Sequence, residues 1–152
     1  MDVLYNLLKF FHIFFAIAAV GSNLTYGVWA ARAGSDEQRA SFTFRGIKFL
    51  DDRVANPAYG LLLLTGLIMA GWHWSYTTQW IAAAIGLYLI AIVIALAAYS
   101  PALTRQIKVL ESEGISSSAY RRASGRATAL GIAVSVPVVL ILILMVFKPN
   151  IG

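Results

Sequence analysis

The sequence predicts an all-α fold, an antiparallel four-helix transmembrane bundle forming one integral membrane domain over residues 1–152. Composition is the first reason: 59% of the residues are hydrophobic and 12% charged, whereas soluble chains carry about a quarter charged residues. The second is a set of four apolar stretches, at about 4–32, 55–73, 79–99 and 126–147, each near the ~20 residues that cross a bilayer. The third is where the basic residues fall. Arg32, Arg39, Arg45, Lys48 and Arg53 lie between the first and second stretches, and Arg105, Lys108, Arg121, Arg122 and Arg126 between the third and fourth. Lys9 and Lys148 alone fall on the other side. Lysine and arginine bias sets orientation, so both basic loops are expected in the cytoplasm and both termini outside, in a plasma membrane of the bacterial inner-membrane type.

The first stretch, LYNLLKFFHIFFAIAAVGSNLTYGVWAAR from Leu4 to Arg32, organises the rest. At about 100° per residue, Tyr5, His12, Ala16, Ala19, Asn23, Tyr26 and Ala30 share one stripe, and Phe10, Phe14, Ile17, Leu24 and Val28 lie opposite. Small and polar residues facing a bulky apolar wall are the inverse of a soluble amphipathic helix: the wall meets lipid and the stripe meets other helices. A signal peptide would carry positive charge before a shorter core; here the charge follows a long one, so the segment reads as a retained helix.

A polar turn, AGSDEQRAS, then leads into FTFRGIKFLDDRVAN. Phe42, Ile47, Phe49, Leu50 and Val54 recur there at roughly helical spacing, as in a surface amphipathic helix or an extension of the second crossing. Asp51, Asp52 and Arg53 read as a charged collar. Pro57 suits either a first helical turn capped by Asn56 or a membrane helix interior. The second crossing ends at GWHWSY, where Trp72, Trp74, Tyr76 and Trp80 form an interfacial aromatic belt. The short hairpin makes the second and third helices antiparallel neighbours. In the third, Ala84, Ala91, Ala95 and Ala98 share a face that permits close approach, and Pro101 is expected to stop it. ALTRQIKVLESEG then reads as helical until Gly114 and the serine run. In the fourth, Ala127, Gly131 and Ser135 share a face, Pro137 marks a kink, and Lys148 with Pro149 ends the helix.

Chemistry concentrates on two histidines. Counting upward, Trp29 to His12 and Pro57 to His73 span similar lengths, which puts both imidazoles at one height near the outer leaflet. His12 shares a face with Ala16 and Ala19, and His73 with Gly66 and Ala70, leaving room for a flat group between helices. Two imidazoles opposed across neighbouring helices suit a six-coordinate b-type haem, with Phe10, Phe11, Trp72 and Tyr76 as walls. The expected cofactor-binding residues are His12, His73, Gly66 and Ala16, with His12 and His73 as metal ligands, for electron transfer or redox sensing. Copper is the alternative metal: Met69 lies one turn from His73, Met145 near the outer end of the fourth helix, and thioether with imidazole suits Cu(I). The bland reading is that His73 snorkels at the interface and His12 and Asn23 hydrogen-bond other helices. A non-enzymatic accessory subunit, or a homo-oligomer, associating through small-residue faces is the competing class.

Several classes drop out. No cysteine is present, which removes disulfides, thiolate metal sites and Fe–S clusters. The net charge of +5 is a topology and anionic-headgroup signal, so the expected partner is the bilayer and not nucleic acid. Hydrolase elbow, phosphate loop and HExxH motifs are absent, and no paired acids of the pump type lie in a crossing.

Three stretches carry a family likeness: LLKFFHIFFAIAAVGSNLTYGVWAAR, FLDDRVANPAYGLLLLTGLIMAGW and VVLILILMVFKP. Together they resemble the predicted integral membrane proteins of domain-of-unknown-function family two-two-six-nine, over nearly the whole chain. The resemblance implies a membrane bundle and carries no activity with it. More distantly, His12 within KFFHI looks like the early histidine of the protoporphyrinogen-oxidase-like and copper-resistance-D-like membrane proteins, which implies haem or copper binding there. The tryptophan-rich continuation and proline–arginine pair of the oxidase-like proteins do not follow it.

Overall fold

A computed structural model describes residues 3–149. Among the described residues the chain forms six α-helices and two π-helical turns, with no strand. The helices are α1 (Val3–Arg32), α2 (Glu37–Leu50), α3 (Asn56–His73), α4 (Gln79–Ile94), α5 (Ser100–Glu113) and α6 (Ser118–Phe147). One π turn, Asp51–Ala55, joins α2 to α3 without a break, and the other, Ala95–Tyr99, joins α4 to α5. Four rods therefore result, at 3–32, 37–73, 79–113 and 118–147, each long and apolar enough to cross a membrane.

The second and third rods outrun the apolar stretches that predict them, and the same device allows it. Each π turn is followed by one residue and then a proline: Asn56 and Pro57, Ser100 and Pro101. A proline ring inside an α-helix collides with the carbonyl four residues back and lacks an N–H. A π turn widens the helix there and moves that carbonyl aside. Pro101 accordingly does not stop the third crossing, which continues as α5 to Glu113. Real stops fall where backbone and caps demand them. Gly34 and Gly114 take positive φ of 70° and 80°, and Asp36 and Ser117 cap the next helices by accepting from the backbone N–H of Arg39 and Tyr120.

Within the apolar region α1 runs against α3 and α4 against α6, while α2 and α5 meet at the end that carries the basic loops. That end holds the main core, built from Tyr26, Ala40, Phe44, Ile47, Ala55, Leu103, Leu110 and Tyr120. Its α2 face is Ala40, Phe44, Ile47, Asp51 and Ala55. Of the face expected from sequence only Ile47 is buried; Phe42 and Phe49 are 82% and 63% exposed. Asp51 is not part of an exposed collar either, being 6% accessible. Polar clasps join the two rods here, with Arg45 on Glu111 (2.6 Å) and Ser41 on the same carboxylate (3.2 Å).

The α1 wall is as expected: Phe10, Phe14, Ile17, Leu24 and Val28 all lie outward, whereas Ala19 and Tyr26 are buried. Ala84 and Ala91 are buried on α4. On α6, Ala127 is buried with Val134, Pro137 and Val138, whereas Ser135 faces out and returns its hydroxyl to the Gly131 carbonyl. The helix runs through Pro137 unbroken. At the aromatic end Trp72, Trp74 and Tyr76 are exposed and Trp80 is tucked in. Lys148, left-handed at the end of α6, lays its ammonium 5.0 Å from the Trp74 ring and 5.6 Å from Trp80. α1 begins and α6 ends on this side; the terminal residues themselves lie outside those described.

Candidate functional site

The α1–α3 seam carries polar contacts at intervals along its length. Nearest the aromatic end, Tyr5 stacks on His73 at 4.0 Å between centroids and 20° between planes, with Trp72 edge-on to Tyr5. Further in, His12 Nδ1 lies 3.0 Å from Thr65 Oγ1. Deeper still, Asn23 donates to the Tyr59 hydroxyl (2.6 Å), and Tyr88 on α4 donates to the Tyr59 carbonyl (2.6 Å).

The hydrogen bonds around His12 favour one tautomer. Thr65 has one hydroxyl proton, which it gives to the Leu61 carbonyl at 2.7 Å, with that of Leu62 at 3.1 Å. Its oxygen can then only accept, so His12 Nδ1 carries the ring proton and donates it. The Leu62 backbone carbonyl also acts on the ring, and no side-chain hydrogen bond reaches Nε2 among the described residues. An imidazole anchored through one N–H, with the other nitrogen bare, is the state in which histidine accepts a proton or binds a metal. Gly66 makes the close approach possible: a Cβ there would sit 2.9 Å from His12 Cε1. Ala16, one turn along α1, is half-buried.

Of the predicted residues, then, His12 and Gly66 are brought together and His73 is not brought to them. Tyr5 pairs with His73 and His12 with Thr65 and Gly66, so each helix places seven residues between the two imidazole levels, or about 10 Å of rise. The common height expected from sequence does not hold. It took Trp29 and Pro57 as level, whereas the Asn23–Tyr59 bond sets Pro57 beside residues further up α1. Antiparallel register is decided by which side chains interlock, and helix length carries no trace of it. Met145 packs against the cluster of Ala70 on α3 with Trp80 and Ile81 on α4. Among the described residues no group of three His, Cys, Asp or Glu side chains gathers.

Sequence reasoning missed a second polar cluster at the basic end. Tyr26 on α1, Tyr59 on α3 and Tyr99 in the second π turn converge on the main core. The Asp51 carboxylate acts electrostatically on all three, and the Asn56 side chain bonds it. The Tyr26 hydroxyl is buried, with no hydrogen bond of ordinary length among the described residues; Ser22, whose own proton goes to the Ala18 carbonyl, acts on it electrostatically. The legible signal was periodicity, since Asp51 continues the Ala40, Phe44, Ile47 face. Lys48 and Asp52 pair with each other just outside.

Four membrane-length rods, lipid-facing bulky residues and helix seams lined by small and polar side chains define an integral membrane protein of the four-helix class. A family model described as "Predicted integral membrane protein (DUF2269)" matches residues 6–149, and the chain belongs to that family. No curated protein and no solved structure gives a match.

Proposed function

We propose that this membrane protein holds a b-type haem through His12 alone, for electron transfer or redox sensing. The observation that carries the reading is the His12–Thr65 contact, which holds Nδ1 and leaves Nε2 without a side-chain hydrogen bond among the described residues. An ionisable side chain inside a membrane helix is costly and marks a functional position by default. The residues present would offer a single donor: Thr65 orients the ring, Gly66 gives it space against α3, and Ala16 keeps the next turn low. They do not suit the paired ligation expected from sequence, because His73 is stacked on Tyr5 about two turns away. A haem supplies reversible one-electron exchange when bound. The chain's own part is to orient the donor nitrogen and, through the flanking Phe11 and Phe15 rings, to keep water away. On the charge distribution, the site lies toward the extracytoplasmic leaflet.

The experiment is an absorption spectrum with metal analysis on protein from haem-replete cells. A Soret band that moves on reduction, vanishes in His12→Ala and persists in His73→Ala supports the reading. A colourless wild type, or equal loss in both variants, overturns it; copper in place of iron would carry the metal to the other expected chemistry. The second reading is an accessory subunit or self-associating scaffold. It is favoured by Gly21 and Gly27 on α1 and Gly86 on α4, where an added Cβ would meet nothing within 4 Å, so other helices could approach closely. Colourless protein that copurifies with a defined membrane partner, or forms a stable oligomer, selects it.

A further inference from the structure

We propose that the junction of α4 and α5 binds the phosphate headgroup of an anionic phospholipid. A surface groove there is lined by Leu96, Ser100, Pro101, Thr104, Arg105 and Lys108. These residues fall on one side of the continuous 79–113 rod, and their chemistry changes in the order a lipid requires. Leu96, 53% exposed, still belongs to the apolar span and meets an acyl chain. Ser100 and Thr104 follow at the level of the glycerol esters, and Arg105 and Lys108 come last. From Leu96 to Lys108 is twelve residues, about 18 Å, the depth from upper acyl chain to headgroup.

Two further features distinguish this groove from basic surface in general. Thr104 gives its hydroxyl proton to the Ser100 carbonyl at 3.0 Å, while the Ser100 hydroxyl makes no hydrogen bond among the described residues and is left to donate outward. Arg105 and Lys108, three residues apart on the same face, make no ion pair among the described residues, whereas Arg45 and Lys48 on α2 are neutralised by Glu111 and Asp52. An arginine fork and a lysine point charge lining one groove with a hydroxyl match a phosphodiester. The acyl-level Leu96 favours a lipid over free phosphate.

The test is native mass spectrometry on the full chain in detergent, titrated with phosphatidylglycerol, phosphatidylcholine or inorganic phosphate. Expected is a retained phosphatidylglycerol that phosphatidylcholine does not match. The double variant Arg105→Gln/Lys108→Gln should weaken retention by about tenfold or more, as removing two charges beside an anionic headgroup implies. The control Arg121→Gln/Arg122→Gln, at the same end but outside the groove, should leave it nearly unchanged. All these positions are on the surface, and unaltered circular dichroism and gel filtration would show each variant folded. Equal loss in both double variants would mean a diffuse field and overturn the site. Equal retention of the two lipids would overturn it as well, and full displacement by millimolar phosphate would reassign the groove to a free anion.

Discussion

Replacing Gly66 by alanine is the sharpest probe of the α1–α3 seam. The new Cβ would lie 2.9 Å from His12 Cε1, against about 3.5–4.0 Å for carbon atoms in contact, so the imidazole must retreat by roughly 0.6 Å or more. That shift lengthens the 3.0 Å bond to Thr65 toward the ~3.5 Å at which hydrogen bonding ends. Overpacking of this kind costs about 1–3 kcal/mol, and an interhelical hydrogen bond in a membrane adds about 0.6 kcal/mol on average. Alanine returns up to ~1 kcal/mol of helix propensity, for a net loss of about 1–2 kcal/mol. In a His12→Ala background the obstruction is gone, so the same substitution should be neutral or slightly stabilising. Reversible unfolding in mixed micelles, run as a four-protein cycle, measures the coupling. An equal effect of Gly66→Ala with and without the imidazole would refute the contact.

The tautomer is open to direct observation: nitrogen NMR of histidine-labelled protein should show His12 protonated at Nδ1 and bare at Nε2, with Thr65→Val loosening that preference, and a dominant Nε2–H form would contradict the assignment. Tyr26→Phe removes a buried hydroxyl that has no hydrogen bond of ordinary length among the described residues, so it should leave stability unchanged or raise it by up to about 1 kcal/mol; a clear loss would point to a bond with the Ser22 oxygen. Tyr5→Leu should cost about 0.5–1.5 kcal/mol by ending the stack on His73, while Tyr5→Phe keeps the ring and most of that energy, and like losses in the two variants would assign the effect to the hydroxyl instead.

Much of the bundle was legible from residue order. Lipid-facing and helix-facing sides of α1 separated because a bilayer rewards bulky apolar groups outside and small or polar ones at helix contacts, and both preferences repeat at helical period. Those preferences act one residue at a time, so composition and spacing carry them. Pro101 misled for the opposite reason: a local rule says that proline ends a helix, but a rod held on both sides can absorb the ring by widening one turn. That is how Pro57 and Pro101 come to lie inside continuous rods.

The histidines divide along the same line. That His12 belongs to the α1 stripe and meets another helix followed from its neighbours along the chain. Its partner, tautomer and distance from His73 depended on how α1 slides against α3, and the interlocking of His12 with Gly66 and of Tyr5 with His73 sets that register. Asp51 shows the same limit: the sequence placed an acid beside basic residues, and only the meeting of α1, α3 and the second π turn enclosed it among tyrosines. Periodicity determines which face of a helix is turned inward, since it is a property of one segment. What that face touches is a property of two, and only the folded bundle decides it.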